Sequence, residues 1–89
     1  MTDEDILEYL KLNLAIIRDT WDKYLLNLID VSRQAISREG ITLEDTREDA
    51  NLIVMYAAYL YRKRAEDSAA MPRMLRYALN NRLFAEKSQ

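Results

Sequence analysis

The chain contains one glycine and one proline among 89 residues, and this scarcity is the strongest constraint on its fold. Average proteins contain about 7% glycine and 5% proline, and β-rich folds use these residues in their many turns. Gly40 and Pro72 therefore leave long stretches without a turn-forming residue. The sequence predicts an all-α fold, a small bundle of about four helices that forms one domain over residues 1–89.

The chain also lacks cysteine and histidine, which removes most catalytic and metal-binding chemistry. Disulfides, thiolate nucleophiles and the commonest general base are absent, and none of the serines has a histidine to activate it. The carboxylates cluster at predicted helix starts, where the helix dipole and capping explain them. We predict no enzyme activity, no cofactor and no metal site.

Apolar spacings of three and four residues predict helices over residues 3–12, 20–39, 47–65 and 72–85. Thr2 is expected to cap the first helix, which should end between residues 13 and 19, although a continuation through residue 18 is also compatible with the pattern. Asp19 is expected to cap the second helix, and Gly40 to follow its end.

The later helices have similar signals. Asp45 or Thr46 should cap the third helix, with Glu48 or Asp49 completing a box-like start. Pro72 should occupy the first position of the fourth helix, where a missing N–H has no cost. The linker over residues 66–70 should be irregular, and residues 86–89 should fray.

The third helix is apolar on all sides over residues 52–61. Such a helix is expected to be buried all round, which is difficult in a domain of this size. It is either the central helix of the bundle or partly covered by a neighbouring subunit.

The fourth helix has a predicted apolar stripe and a polar remainder. The stripe contains Met74, Leu75, Ala78, Leu79 and Leu83. The residues placed outside it are Arg73, Arg76, Asn80 and Arg82.

Charge is distributed unevenly along the chain. Residues 1–61 contain 6 Lys/Arg against 12 Asp/Glu, and residues 62–89 contain 7 against 3, so the two parts carry charges of −6 and +4. This asymmetry suits head-to-tail packing of identical copies, although charge alone favours the simpler interpretation of two solvated faces without a partner. The longest apolar run has ten residues and the N-terminus is acidic, so we expect a soluble intracellular protein that does not contact membranes.

The basic C-terminal third suggests two kinds of binding. Tyrosines and arginines there could be anchors of a protein interface, where both residue types are enriched, or the tyrosines could belong to the core. A small helical DNA-binding or regulatory module is the alternative. The acidic overall balance and the long link between the last two helices argue against it.

Two segments near the C-terminus, residues 51–64 and 70–82, resemble the head-tail connector (adaptor) proteins of long-tailed bacteriophages and prophages. The Ala-Met-Pro-Arg run at residues 70–73 is the most distinctive part. Residues 10–16, 22–25 and 28–29 are similar to the opening helix, acidic turn and second helix of that family. Ala15 departs from the pattern, because a glycine is expected to end the first helix.

The resemblance implies a structural virion protein at the head-tail interface, present in the host cytoplasm during assembly. The family's subunits form a homo-oligomeric ring that matches the symmetry of the portal protein, docks on it and extends the DNA channel. The ring then receives the next connector or tail-completion protein, and packaged DNA is only a non-specific neighbour. The candidate subunit or portal contacts are Tyr59, Tyr61, Arg62, Arg64, Met71, Arg73 and Arg76.

Overall fold

A computed structural model of the chain describes residues 2–65 and 70–88. These residues form four α-helices and no strand: α1 (Asp3–Leu14), α2 (Asp22–Arg38), α3 (Arg47–Lys63) and α4 (Arg73–Lys87). The predicted all-α bundle is therefore confirmed. Most of the predicted irregular linker, residues 66–69, lies outside the described residues.

Helix α1 begins and ends at local signals in the sequence. The Oγ1 of Thr2 accepts a hydrogen bond from the Asp5 N–H at 3.2 Å, and the Asp5 carboxylate accepts one from the Thr2 N–H at 3.1 Å. Thr2 therefore caps α1 as predicted, and the reciprocal pair forms a capping box. The helix ends where Ala15 adopts φ 58° and ψ 38°, the left-handed conformation that usually selects glycine.

The start of α2 corrects one prediction. Asp19 does not cap this helix, which begins at Asp22 with Trp21 at the capping position and no side-chain cap. The carboxylates of Asp19 and Asp22 instead lie 2.9 Å from the Nζ of Lys11. These two ion pairs hold the end of α1 against the turn that precedes α2. At the other end, Gly40 follows α2 with φ 100°, as expected for the position after the helix.

The boundaries of α3 and α4 differ slightly from those predicted. Of the two candidate caps, Thr46 is the one used, and its Oγ1 accepts from the Asp49 N–H at 3.1 Å. Pro72 lies just outside α4, at its capping position, so α4 begins one residue later than predicted. The predicted fraying of residues 86–89 is wrong for Glu86 and Lys87, because α4 continues through both and the Glu86 carboxylate accepts from the Thr42 N–H at 3.0 Å. Gln89 lies outside the described residues.

Helix α3 is central and packs against each of the other three helices. It is not enclosed on every side, because Asn51 is exposed and Met55, Tyr56 and Tyr59 are half-buried. The buried hydrophobic side chains come from all four helices and from the connection before α3. They are Ile6, Leu7, Leu10, Leu25, Leu28, Ile29, Ile36, Ile41, Ala50, Leu52, Ile53, Val54, Ala57, Ala58, Leu75 and Leu79.

Helix α4 is the least covered element of the bundle. Its main packing partner is α3, whereas α1 and α2 also pack against each other. The predicted apolar stripe of α4 needs two corrections: Met74 is exposed, and Arg82 is only 8% exposed. The molecule extends 41 × 31 × 18 Å, so it is about two helices thick in its shortest direction. Each outer helix therefore keeps one face toward solvent.

Candidate protein interface

The predicted contact residues occupy the C-terminal half of α3 and the beginning of α4. Tyr59 and Tyr61 are half-buried, whereas Arg62 and Arg64 are exposed. The two segments that carry the set lie on either side of residues 66–69, and the side chains divide into separate local clusters.

The first cluster is built around Arg64 at the end of α3. Its guanidinium carbon lies 4.6 Å from the ring centroid of Tyr61, 5.1 Å from that of Trp21 and 5.8 Å from that of Tyr24. Trp21 and Tyr24 pack edge to face at 6.1 Å. We call these four residues the aromatic cluster. Cation–π attraction to three rings holds Arg64 over the start of α2.

A second cluster lies one turn earlier on α3. The Nζ of Lys63 lies 5.7 Å from the Tyr59 ring centroid, and Tyr59 meets Tyr56 edge to face at 6.1 Å. Burial raises the pKa of the Tyr56 hydroxyl, and the nearby Glu39 carboxylate raises it further. Tyr56 is half-buried and acts as a packing residue.

The remaining candidates differ in the side-chain hydrogen bonds and ion pairs that they make within the molecule. The Nη1 of Arg76 donates to the Glu39 carboxylate at 3.1 Å, and its Nη2 lies 3.4 Å from the Met71 sulfur. On α3, the Arg62 guanidinium donates to the Asn13 side chain at 3.3 Å. Arg73 is exposed and makes no hydrogen bond or ion pair within the described part of the chain. Among the candidate arginines, Arg73 therefore has an exposed guanidinium without a side-chain partner in the described residues.

The exposed apolar residues of α4 form a group that the sequence pattern did not identify. Met74 and Phe84 are 75% exposed, and Tyr77 is 58% exposed. Spacings of three and seven residues bring them to one side of the helix, opposite the buried Leu75 and Leu79. Arg73 and Lys87 flank them. We call these five residues, Met74, Tyr77, Phe84, Arg73 and Lys87, the α4 face. The seven-residue spacing of Tyr77 and Phe84, which is two helical turns, was the sequence signal that could have identified this face.

A comparable face lies on the outside of α1. Leu12 is 76% exposed and Tyr9 is 46% exposed, and helical spacing places Asp5 and Glu8 beside them. We call these four residues the α1 face. Asp5 also belongs to the capping box, whereas Glu8 makes no ion pair or hydrogen bond among the described residues.

Tyr9 separates two hollows on this side of the molecule. One, about 480 Å³, lies between α1 and the start of α3, and its lining includes Asn13, Arg47, Glu48, Asn51 and Val54. The other, about 370 Å³, runs along α1 beside Leu12 and Ile16. Both are open depressions, suited to protruding side chains of a protein partner.

The described residues contain neither a metal-binding group of side chains nor a membrane-spanning helix. No group of three or more acidic side chains is arranged to hold a metal ion in residues 2–65 and 70–88. Over the same residues, no helix is long and apolar enough to span a bilayer. Comparison with protein families, curated proteins and solved structures finds no match to the chain.

Proposed function

We propose that the chain is a structural subunit of the connection between the head and the tail of a long-tailed bacteriophage or prophage. In this role it assembles into a ring, docks on the portal protein and extends the channel through which DNA leaves the head. The observation that carries the proposal is the sequence resemblance, which extends from α1 to α4 and includes the Ala-Met-Pro-Arg run before α4.

Two features of the molecule support this role. It has outward faces with large apolar side chains, which isolated domains rarely present in groups. The uneven distribution of charge between residues 1–61 and 62–89 also suits head-to-tail packing of identical copies. A connector needs no reacting group, because its work consists of a repeated interface that closes into a ring.

Binding to the portal tests the proposal. The protein is mixed with the purified portal of the same genome, and the products are examined by electron microscopy and native mass spectrometry. We expect an additional ring at one end of the portal, with a copy number set by the portal symmetry. The portal of an unrelated phage is the control and should remain bare. Absence of both portal binding and rings over a wide range of protein concentration would refute the proposal.

The position of the gene gives a second, independent test. A connector gene is expected among the genes for capsid and tail proteins. A gene isolated from any such genes would argue against a role in the virion.

The alternative, a DNA-binding module, has weaker support from the side chains of α4. Arg76 pairs with Glu39, and Arg82 is buried in an ion pair with Asp49. Among the α4 arginines, Arg73 alone makes no ion pair with residues 2–65 and 70–88. Salt-dependent binding to duplex DNA with a preferred sequence would favour this alternative. If the double variant Arg73→Ala, Arg76→Ala lost that binding, the site would lie on α4.

A further inference from the structure

We propose that the α4 face of one copy docks on the α1 face of a second copy. This inference deepens the proposed function, because it names the surfaces through which neighbouring subunits would meet. It rests on the self-association part of that function and does not require the portal.

The exposed apolar area is the first reason. Leu12 on α1 and Met74 and Phe84 on α4 each leave about three quarters of their surface in water. Covering such side chains stabilises a complex by about 25 cal/mol for each Å² of apolar surface removed from water. Within one molecule the two faces cannot cover each other, since α4 packs mainly on α3 and α1 packs on α2 and α3.

Charge determines which pairing of faces is favourable. The α1 face carries Asp5 and Glu8, and the α4 face carries Arg73 and Lys87. Pairing two α1 faces, or two α4 faces, would place like charges together, whereas pairing α1 with α4 places opposite charges together. Glu8, Arg73 and Lys87 make no ion pair among the described residues, so each can form one with a second copy.

Shape supports the same arrangement. The depressions on either side of Tyr9, about 480 and 370 Å³, can receive protruding side chains. The α4 face supplies such side chains in Tyr77 and Phe84, and aromatic anchors in pockets dominate the energetics of many interfaces.

The pairing has a defined consequence for assembly. Because the two faces are different and belong to the same molecule, each copy can bind one neighbour through α1 and another through α4. Such heterologous contacts produce chains or closed rings and do not stop at a dimer. The 12 residues of α1 are about 18 Å long, so the contact is smaller than the roughly 800 Å² per partner of a standard interface. The free protein should therefore associate weakly, and detection requires covalent trapping.

Cysteine cross-linking tests the proposal cleanly because the natural chain has no cysteine. The variants Leu12→Cys and Tyr77→Cys are purified separately, mixed at high concentration and oxidised. We expect at least about fivefold more disulfide between the two variants than within either one, because the unlike faces are the complementary ones. A single chain carrying both cysteines should give a ladder of oligomers.

Two controls isolate the surfaces and the charges. Asn27→Cys places a cysteine on the exposed side of α2, and its cross-linking to Leu12→Cys should stay at the level of random collision. Adding Glu8→Lys to the Leu12→Cys variant should reduce cross-linking to Tyr77→Cys severalfold. Adding Arg73→Glu to the Tyr77→Cys variant should then restore it. Circular dichroism confirms that each variant is folded.

Equal cross-linking of like and unlike faces, or equal cross-linking of the Asn27→Cys control, would overturn the inference. The result is separable from that of the portal experiment. Disulfide trapping of short chains, with neither portal binding nor rings, would leave this contact in place and remove the connector role. Portal binding without trapping would leave the connector role in place and remove this contact.

Discussion

Arg82 of α4 forms a two-point ion pair with Asp49 of α3 in the interior of the bundle: Nε lies 2.8 Å from Oδ1, and Nη2 lies 3.2 Å from Oδ2. Arg82 also donates to the Thr42 carbonyl at 2.7 Å, and Asp49 accepts from the Glu44 N–H at 2.8 Å. The planar guanidinium matches the carboxylate at both oxygens, which strengthens each hydrogen bond. This pair joins α4 to α3 and to the connection that precedes α3.

We expect substitution of Arg82 to lower the free energy of unfolding more than substitution of Asp49 does. Arg82→Met leaves the buried Asp49 carboxylate with one donor, the Glu44 N–H, and should lower the free energy of unfolding by about 3 kcal/mol. Asp49→Asn should cost less, because Arg82 keeps the carboxylate of Glu86 at 3.1 Å. Urea denaturation measures both changes. The double variant should lose less than the sum of the single losses, and strict additivity would show that the pair does not act as a unit.

Acid should weaken the contacts that the carboxylates of Asp49 and Glu86 make between α4, α3 and the connection before α3. Burial raises the pKa of Asp49, but hydrogen bonds from Arg82 and from the Glu44 N–H outweigh it and hold the pKa below its usual range. The Thr42 N–H, and then Arg82, lower the pKa of Glu86. Both groups therefore stabilise the fold above the ordinary carboxyl pKa of about 4, and this contribution disappears as the pH falls through their folded pKa values.

The free energy of unfolding should accordingly decrease as the pH falls below about 5, because the unfolded chain then binds more protons than the folded one. Urea titrations between pH 3 and pH 7 measure the slope. Asp49→Asn removes one of the two shifted groups and should give a shallower acid slope. An unchanged slope in that variant would mean that Asp49 has an ordinary pKa in the folded protein.

The sequence predicted the helices well because their signals are local. Apolar spacing identified all four, and Thr2 and Thr46 cap their helices through side chains three residues away from their donors. The Asp19 cap failed for a non-local reason, since Lys11 on the preceding helix attracts that carboxylate. The helix boundaries differ from the predicted ones by no more than two residues, which is the range over which helix ends fray.

The surfaces were harder to predict than the helices. Arg82 was placed outside the apolar stripe of α4, and its buried position depends on Asp49, which lies 33 residues earlier. Met74 was placed inside the stripe, but α4 packs mainly on α3, so only a narrow strip of it is covered. Spacing along one helix gives the relative positions of its side chains, whereas the number of neighbouring helices decides how wide a strip is buried.

Ala15 is a position where a substitution is expected to stabilise the protein. Its φ of 58° costs an alanine about 1–2 kcal/mol relative to glycine. Glycine adds unfolded-state entropy that offsets part of this gain, by about 0.4–1 kcal/mol. Ala15→Gly should therefore raise the free energy of unfolding by about 0.5–1 kcal/mol, measured by thermal or urea denaturation.

The matched control for Ala15 is the same substitution in a right-handed helix. Ala85 is exposed and lies within α4, where glycine is less favourable than alanine by about 1 kcal/mol. Ala85→Gly should therefore lower the stability. If both substitutions lowered it, the left-handed end of α1 would not exist in solution.

Arg64 can be tested through the only tryptophan in the chain, Trp21. The guanidinium covers one side of that ring at 5.1 Å from its centroid and also contacts Tyr24 and Tyr61 in the aromatic cluster. Arg64→Ala removes this cover, so water should reach the indole more freely and its fluorescence emission should move to longer wavelength. Because cation–π contacts at exposed sites contribute about 0.5–1 kcal/mol, the free energy of unfolding should decrease by a similar amount.

Lys63→Ala is the matched control, because it also removes a cation at the end of α3 but from the ring of Tyr59. The emission of Trp21 should not change in that variant, while the net charge changes equally in both. A red shift of the same size in both variants would assign the effect to charge or to fraying of α3. A shift confined to Arg64→Ala would place Arg64 against Trp21 in solution, where it fixes the end of α3 against the beginning of α2.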